Sequence, residues 1–355
     1  MNQPYSRGLD PYYERQLSSG EETPARIAGE HRHGYVVWSS AGDGFARLAG
    51  RLVHTLQDEE YPAVGDWVVL RALPLPGHTS IIDRVLTRRT VLMRGAAGRQ
   101  ARGQVIAANI DIVFIVSGLD VDFNVRRIQR YLARVSAGGA LPVIVLNKTD
   151  ICDDIDSRVA EVKRVSPGTE VITTSVTSGE EMQEFTEYLR PGITAAFVGS
   201  SGAGKSTLMN VLLGETRLRT GEVRTHEHGG RHTTTHRHML VLPSGAMLID
   251  TPGMRELSLI DREGIDTTFS GIEELASQCR FRDCTHQSEP GCAVRHAVES
   301  GEIPSDLVEH YLALQAEARA FELRHDERAR RRSERATGRQ RAKDLNVIRR
   351  VKEGR

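Results

Sequence analysis

Eight consecutive residues, Gly199-Ser-Ser-Gly-Ala-Gly-Lys205-Ser206, follow the pattern G-x-x-x-x-G-K-S of a phosphate-binding loop. Gly199, Gly202 and Gly204 let the backbone curl so that successive N–H groups point inward, and the positive end of a following helix adds to that nest. Lys205 has the reach to contact β- and γ-phosphates, and Ser206 supplies a hydroxyl for Mg²⁺. Ser200, Ser201, Ala203 and Thr207 complete the stretch expected to line the nucleotide. The flanks suit the motif: Thr194-Ala-Ala-Phe-Val198 reads as a buried strand, and Thr207–Leu213 is apolar at helical spacing and stops at Gly214. A chance Gly/Ser-rich turn would not carry both.

A base reader stands upstream. Asn147-Lys148-Thr149-Asp150 follows the apolar run Pro142-Val-Ile-Val-Leu146, at the strand end where open α/β sheets bind ligands. A carboxylate at Asp150 accepts two hydrogen bonds from guanine N1–H and its 2-amino group, a donor pair that adenine lacks, so GTP/GDP is expected over ATP. Asn147 would brace the loop, and the Lys148 stem would cover the base. Ser175, after the strand Glu170–Thr173, resembles the loop that supports guanine from its other side. Downstream, Asp250-Thr-Pro-Gly253 follows the strand Ala246–Ile249. There Asp250 would hold Mg²⁺ through water, and the Gly253 N–H would sense the γ-phosphate. Between them lies Gly230-Arg-His-Thr-Thr-Thr235, and Thr234 is chosen over Thr233 and Thr235 to complete Mg²⁺ coordination.

In small GTPases the residue after the D-x-x-G glycine is a glutamine that orients the attacking water. Here it is Met254, which cannot do so. His232, beside the threonines, is the catalytic candidate, because a neutral imidazole accepts a hydrogen bond from water. The order of these elements is rotated. Small GTPases begin with the phosphate loop and read guanine fourth; here Asn147–Asp150 and Ser175 come first. The pattern is that of a circularly permuted GTPase domain.

Cys279, Cys284, His286 and Cys292 form C-x₄-C-x-H-x₅-C, three thiolates and an imidazole that suit one closed, structural tetrahedral Zn²⁺. Buried thiols beside an incidental histidine are the plainer alternative. Arg280, Arg282, Arg295 and His296 flank the cluster, so RNA contact is reasonable there.

The elements that must position these groups fall into several units. At 355 residues, with 39% hydrophobic content, two or three domains are expected. Residues 1–33 read as a flexible N-terminal extension. Residues 34–95 carry β-like runs (Gly34–Trp38, Phe45–Val53, Asp66–Ala72, Ser80–Leu86) that suggest an oligonucleotide-binding (OB-type) barrel. Arg47, Arg51, Arg71, Arg84, Arg88, Arg89 and Arg94 stud it, as a basic groove for RNA or as a solvated face. Trp38, Phe45 and Trp67 fit stacking platforms or core equally well. Gly95–Gly103 reads as a linker, and residues 104–262 alternate strand and helix as a mostly parallel sheet covered on both faces does. The zinc unit spans 263–320. The tail, 321–355, holds 13 lysines and arginines against 6 acidic residues, although the chain as a whole balances at 47 of each sign. No apolar run reaches membrane-spanning length, no signal-peptide core opens the chain, and four cysteines form no disulfide framework. These features point to the cytoplasm and to no membrane partner.

Together, these residues resemble the ribosome small-subunit-dependent GTPase A family of bacterial permuted GTPases. The likeness spans about residues 34–315 and rests on Asn147–Asp150 ahead of Gly199–Ser206, Gly230–Thr235, Asp250–Gly253 and the Cys279/Cys284/His286/Cys292 spacing. It implies a multidomain fold: an N-terminal OB-type β-barrel, a central circularly permuted α/β P-loop GTPase domain and a C-terminal α-helical zinc-binding domain. It further implies action late in maturation of the small ribosomal subunit and its rRNA; a monomer is expected. GTP turnover would be stimulated by the ribosome, an assembly factor released and the decoding region checked. In that family the histidine matching His232 is the proposed catalytic one. The arginine-rich tail and the neutral overall charge fit the family pattern less well. A metabolic P-loop kinase or ATPase is disfavoured by Asp150, and a zinc/RNA-binding protein with a vestigial nucleotide site by the complete set of nucleotide elements.

Overall fold

The computed structural model describes residues 9–18, 22–75, 77–95, 103–177, 182–215, 237–250, 263–320 and 323. After a short helix, α1 (Pro11–Glu14), the chain forms β1 (Thr23–His31), β2 (Gly34–Ser39), β3 (Gly42–Leu48), α2 (Gly50–Thr55), β4 (Trp67–Leu70) and β5 (Thr79–Val85). These five strands run in the order β1-β2-β3-β5-β4, and β4 pairs back onto β1, closing a small barrel. Ala25, Ile27, Val37, Ala46, Val68, Leu70 and Ile82 fill it. Tyr13 of α1 packs outside, against the fully buried Trp67.

Residues 23–31 are thus a paired barrel strand, and the extension expected over 1–33 does not hold for them. Pro24 and the charges at Arg26 and Glu30 disguised the strand, yet Arg26 is itself buried. The β-like run expected over 45–53 ends at Leu48, and Arg51 and Val53 lie in α2. Gly95 and Gly103, read as the ends of a linker, are paired residues of β6 (Val91–Gly95) and β7 (Gly103–Ala108).

The GTPase portion adds β8 (Ile112–Gly118), α3 (Val125–Ala137), β9 (Leu141–Asn147), α4 (Ile155–Val165), β10 (Glu170–Thr174), α5 (Met182–Tyr188), β11 (Thr194–Gly199), α6 (Lys205–Leu213), β12 (His238–Val241) and β13 (Met247–Asp250). The order β10-β9-β8-β11-β13 is all parallel, with β12 antiparallel at one side. Every residue of β8 is buried, as a central parallel strand covered on both faces requires. Val113 and Ile115 face α3 and α4 through Ile128, Leu132 and Val162. The alternate residues, Phe114 and Val116, face Phe185 of α5 and Leu208 of α6.

β12 also meets β1, at Gly29 opposite His238, so barrel and GTPase strands form one sheet of eleven. Arg26 sits in this joint, donating to the Asn109 carbonyl at 3.1 Å and Thr194 Oγ1 at 2.8 Å. Beyond the GTPase portion come α7 (Glu263–Thr268), α8 (Ser270–Ala276), α9 (Ala293–Glu299) and α10 (305–320). Ile265, Phe269, Ile272, Val294, Tyr311 and Leu314 make their core, into which Ala133 of α3 also packs.

Candidate nucleotide site and metal centre

The C-terminal ends of β8, β9, β10, β11 and β13 lie side by side, and the site is built on them. Gly199 ends β11 at φ 141°, and Ser200–Gly204 form the turn into α6, whose first residues are Lys205, Ser206 and Thr207. Gly204 has φ 98°, a conformation that favours glycine, and a Cβ there would fall 2.1 Å from Asn147 Nδ2. The Lys205 ammonium donates to the carbonyls of Gly199 (2.9 Å) and Ser200, which hold it across the loop. α6 ends at Gly214 with φ 69°, whose N–H caps the carbonyls of Asn210 and Val211.

Asn147 closes β9. Its Nδ2 donates to the Ala203 carbonyl at 2.9 Å, so the base-reading loop and the phosphate loop are one unit. Its Oδ1 is buried and finds no hydrogen-bond partner among the described residues. Lys148 follows in the left-handed region at φ 70°, and Thr149–Ile151 make one 3₁₀ turn that carries Asp150. The hydroxyl of Ser175, just past β10, donates to Asp150 Oδ1 at 2.6 Å. A carboxylate oxygen has two lone pairs, so this bond fixes the carboxylate and leaves both oxygens able to accept from a base.

Asp250 ends β13, next to β11, and burial raises its carboxyl pKa. A divalent cation beside it would reverse that, so Asp250 suits Mg²⁺ together with Ser206 at the start of α6. Thr234, His232, Gly253 and Met254 lie outside the described residues.

Two residues missed in the sequence reading belong here. The loop from β8 to α3 places Asp120 against Lys148, Oδ2 to Nζ 2.6 Å, and Asp122 against the Ser200 hydroxyl and Arg127. Their signal was present: two acids just past the end of an apolar strand, on the edge where parallel sheets bind ligands.

In the helical C-terminal unit, Cys279, Cys284, His286 and Cys292 bring four donor atoms within 4.8 Å of one another. Cys279 Sγ lies 3.9 Å from Cys292 Sγ, and His286 Nδ1 lies 3.6 and 3.5 Å from those two sulfurs. Tetrahedral Zn²⁺ with ordinary bond lengths sets S···S at about 3.8 Å and S···N at about 3.6 Å, so these donors fit it. Burial lowers the His286 pKa, favouring the neutral, ligating imidazole. His286 stands at φ 61°, within a turn tied down by Glu289. That carboxylate accepts from the Thr285 hydroxyl and the backbone N–H groups of Thr285, Gln287 and Ser288.

The chain is similar to known proteins. The sequence profile of the RsgA GTPase family matches residues 85–260. The chain is 48% identical over 293 residues to the small ribosomal subunit biogenesis GTPase RsgA 2 of Lactiplantibacillus plantarum, covering 82% of each chain. It is 46% identical over 325 residues to the RsgA protein of Opitutus terrae, covering 88% of this chain and 89% of that one. The chain belongs to the RsgA GTPase family.

The crystal structure of YjeQ from Thermotoga maritima superposes with a TM-score of 0.63 at 27% identity, over 84% of this chain and 98% of that one. YloQ, a circularly permuted GTPase, superposes at 0.61 and 24% identity, over 85% and 97%, and supports the fold. As an RsgA-family member this chain is a GTPase, a hydrolase acting on GTP, with a permuted G domain behind an N-terminal β-barrel. GTP/GDP and Mg²⁺ follow from that activity. The basic studs of the barrel are less available than their sequence suggests. Arg51 and Arg71 hold Asp83, Arg84 holds Glu22, Arg88 holds the buried Asp66, and Arg89 holds Asp10 and Asp111. Trp38 and Trp67 are buried, Phe45 half-buried.

Proposed function

We propose that this GTPase acts in late maturation of the small ribosomal subunit. It binds the subunit's rRNA as a monomer in the cytoplasm, hydrolyses GTP faster there, checks the decoding region and leaves with release of an assembly factor. The observation that carries this reading is the 48% identity, over most of both chains, to a protein named as a small ribosomal subunit biogenesis GTPase. No helix among the described residues is long and apolar enough to cross a membrane.

Within the site, Asp150 reads guanine, Lys205 and the 199–207 loop hold the phosphates, and Ser206, Thr234 and Asp250 hold Mg²⁺. Gly253 senses the γ-phosphate, and His232 orients the attacking water. Cys279, Cys284, His286 and Cys292 hold one structural Zn²⁺. Beside them Arg280, Arg282 and Phe281 are exposed, with the Arg280 guanidinium 5.5 Å from the Phe281 ring centroid, a cation and an aromatic face presented together as RNA-binding surfaces present them. The units are a barrel, a GTPase domain to about residue 262, a zinc-binding unit over 263–320 and a basic tail over 321–355.

GTP turnover with and without purified small subunits tests the reading. Stimulation is expected, and its absence defeats the ribosomal role while leaving the GTPase intact. His232→Ala, measured alongside, is expected to lower turnover at near-normal GTP affinity. Unchanged turnover removes His232 from the mechanism.

A further inference from the structure

Lys148 is held by this chain's own residues. It occupies a left-handed backbone position that long side chains rarely adopt, and its ammonium is locked on Asp120 at 2.6 Å. Four rotatable bonds would otherwise let the stem sample many directions, including toward the phosphates beside Lys205.

The loop that supplies Asp120 is itself fixed. The Leu119 N–H donates to the Asn147 carbonyl at 2.8 Å. Asp120 Oδ1 accepts the Asp122 N–H at 3.0 Å. Gly118 leaves the room this needs, since a Cβ there would sit 3.2 Å from both Asp120 carboxylate oxygens. Asp122 then reaches across to the Ser200 hydroxyl in the phosphate loop. Burial raises the Asp120 carboxyl pKa most strongly, but the hydrogen bonds from Lys148 and the Asp122 N–H, together with the Lys148 charge, outweigh it and hold the group ionised.

We propose that Asp120 is a positioning residue for guanine nucleotides: it aims the Lys148 stem along the base plane and neutralises its charge, so that the site is ordered before binding. This rests on the reading of Asn147–Asp150 as the guanine reader. Ordering a flexible group in advance raises affinity by removing that cost from the binding step.

The alternative, that Asp120 only closes its own turn, predicts a different response. Asparagine at 120 keeps an oxygen for the Asp122 N–H but loses the charge that holds Lys148. The test is a double-mutant cycle of Asp120→Asn and Lys148→Met on the full-length protein, reading GDP affinity by calorimetry and fold by thermal melting. The expected result is a loss of about tenfold for Asp120→Asn with Lys148 present and less than twofold in the Lys148→Met background. Unchanged affinity, or equal loss in both backgrounds, overturns the proposal. Asp150→Asn is measured in parallel. If it weakens GDP binding while Asp120→Asn does not, the positioning role alone fails; if Asp150→Asn leaves GDP binding intact, the guanine reading and this proposal fall together.

Discussion

Asn147 and Ala203 are 56 residues apart, yet the amide of one donates to the carbonyl of the other at 2.9 Å. That bond joins the Asn147–Asp150 loop to the Gly199–Ser206 loop, the two that the proposed function assigns to base and phosphates. It requires a glycine next door: any side chain at 204 would collide with the same amide, and the backbone there is left-handed. Gly204→Ala therefore displaces Asn147 as well as straining the turn. GDP affinity should fall at least about tenfold and stability by about 1–2 kcal/mol, read by calorimetry and denaturant unfolding.

Asp150 is oriented by the Ser175 hydroxyl, and in the proposed function it carries base choice through acceptor geometry. Asp150→Asn replaces one acceptor by a donor, which suits a base with a carbonyl where guanine has its amino group. Competition binding should show GDP weakened by about 100-fold and xanthosine diphosphate strengthened, since a site built for particular hydrogen bonds rejects the ligand that leaves them unpaired. Unaltered preference would show that Asp150 does not read the base.

The zinc-type cluster lies within the core it would stabilise. Cys292 is buried with Val294, Phe269 and Tyr311, and Tyr311 donates to Glu273 of α8. Chelation, or Cys279→Ser with Cys292→Ser, should raise hydrogen exchange across residues 265–315 and leave GDP binding in place. Acid should also release the metal, because the thiolates must stay deprotonated to ligate. Exchange that is identical with and without chelator would show that these four residues hold no structural ion.

His310 of α10 is buried against α3, its Nδ1 2.8 Å from Gln129 Oε1. Burial first, then the charges of Arg126 and Arg130, push its pKa down to about 4, with Asp306 opposing. The unfolded chain takes up this proton near pH ~6.5 and the folded chain only near 4. Between those values the unfolded state binds more protons, so stability falls as pH falls through that window. The contribution lost between pH 7.5 and 5 is about 2 kcal/mol. Denaturant midpoints should show it, and His310→Gln should flatten that part of the profile.

The Gly199–Ser206 motif, the Asn147–Asp150 motif and the Cys/His spacing were legible in the sequence because each is short. Backbone curl, donor pattern and ligand spacing all act within a dozen residues, and apolar strands flank the nucleotide loops. β1 was not legible. Its defining contacts are with β2, β4 and β12, and its central charged residue is buried only because the joint between barrel and GTPase sheet surrounds it. The ion pairs of the barrel arginines were hidden for the same reason. A run of positive charge looks free until the fold brings Asp83, Glu22, Asp66 and Asp111 to it.

By itself, then, the sequence determined which groups are present: the Asn147–Asp150 motif, the Gly199–Ser206 loop, the four Cys/His donors and their permuted order. Only the tertiary structure decided which groups act together. It put Asp120 on Lys148, Ser175 on Asp150 and Asn147 on Ala203, contacts made between separate strands whose ends a parallel sheet aligns at one edge. Residue type and local spacing are covalent properties of the chain. Proximity across strand ends follows from burying both faces of the sheet, and no short stretch of sequence encodes that.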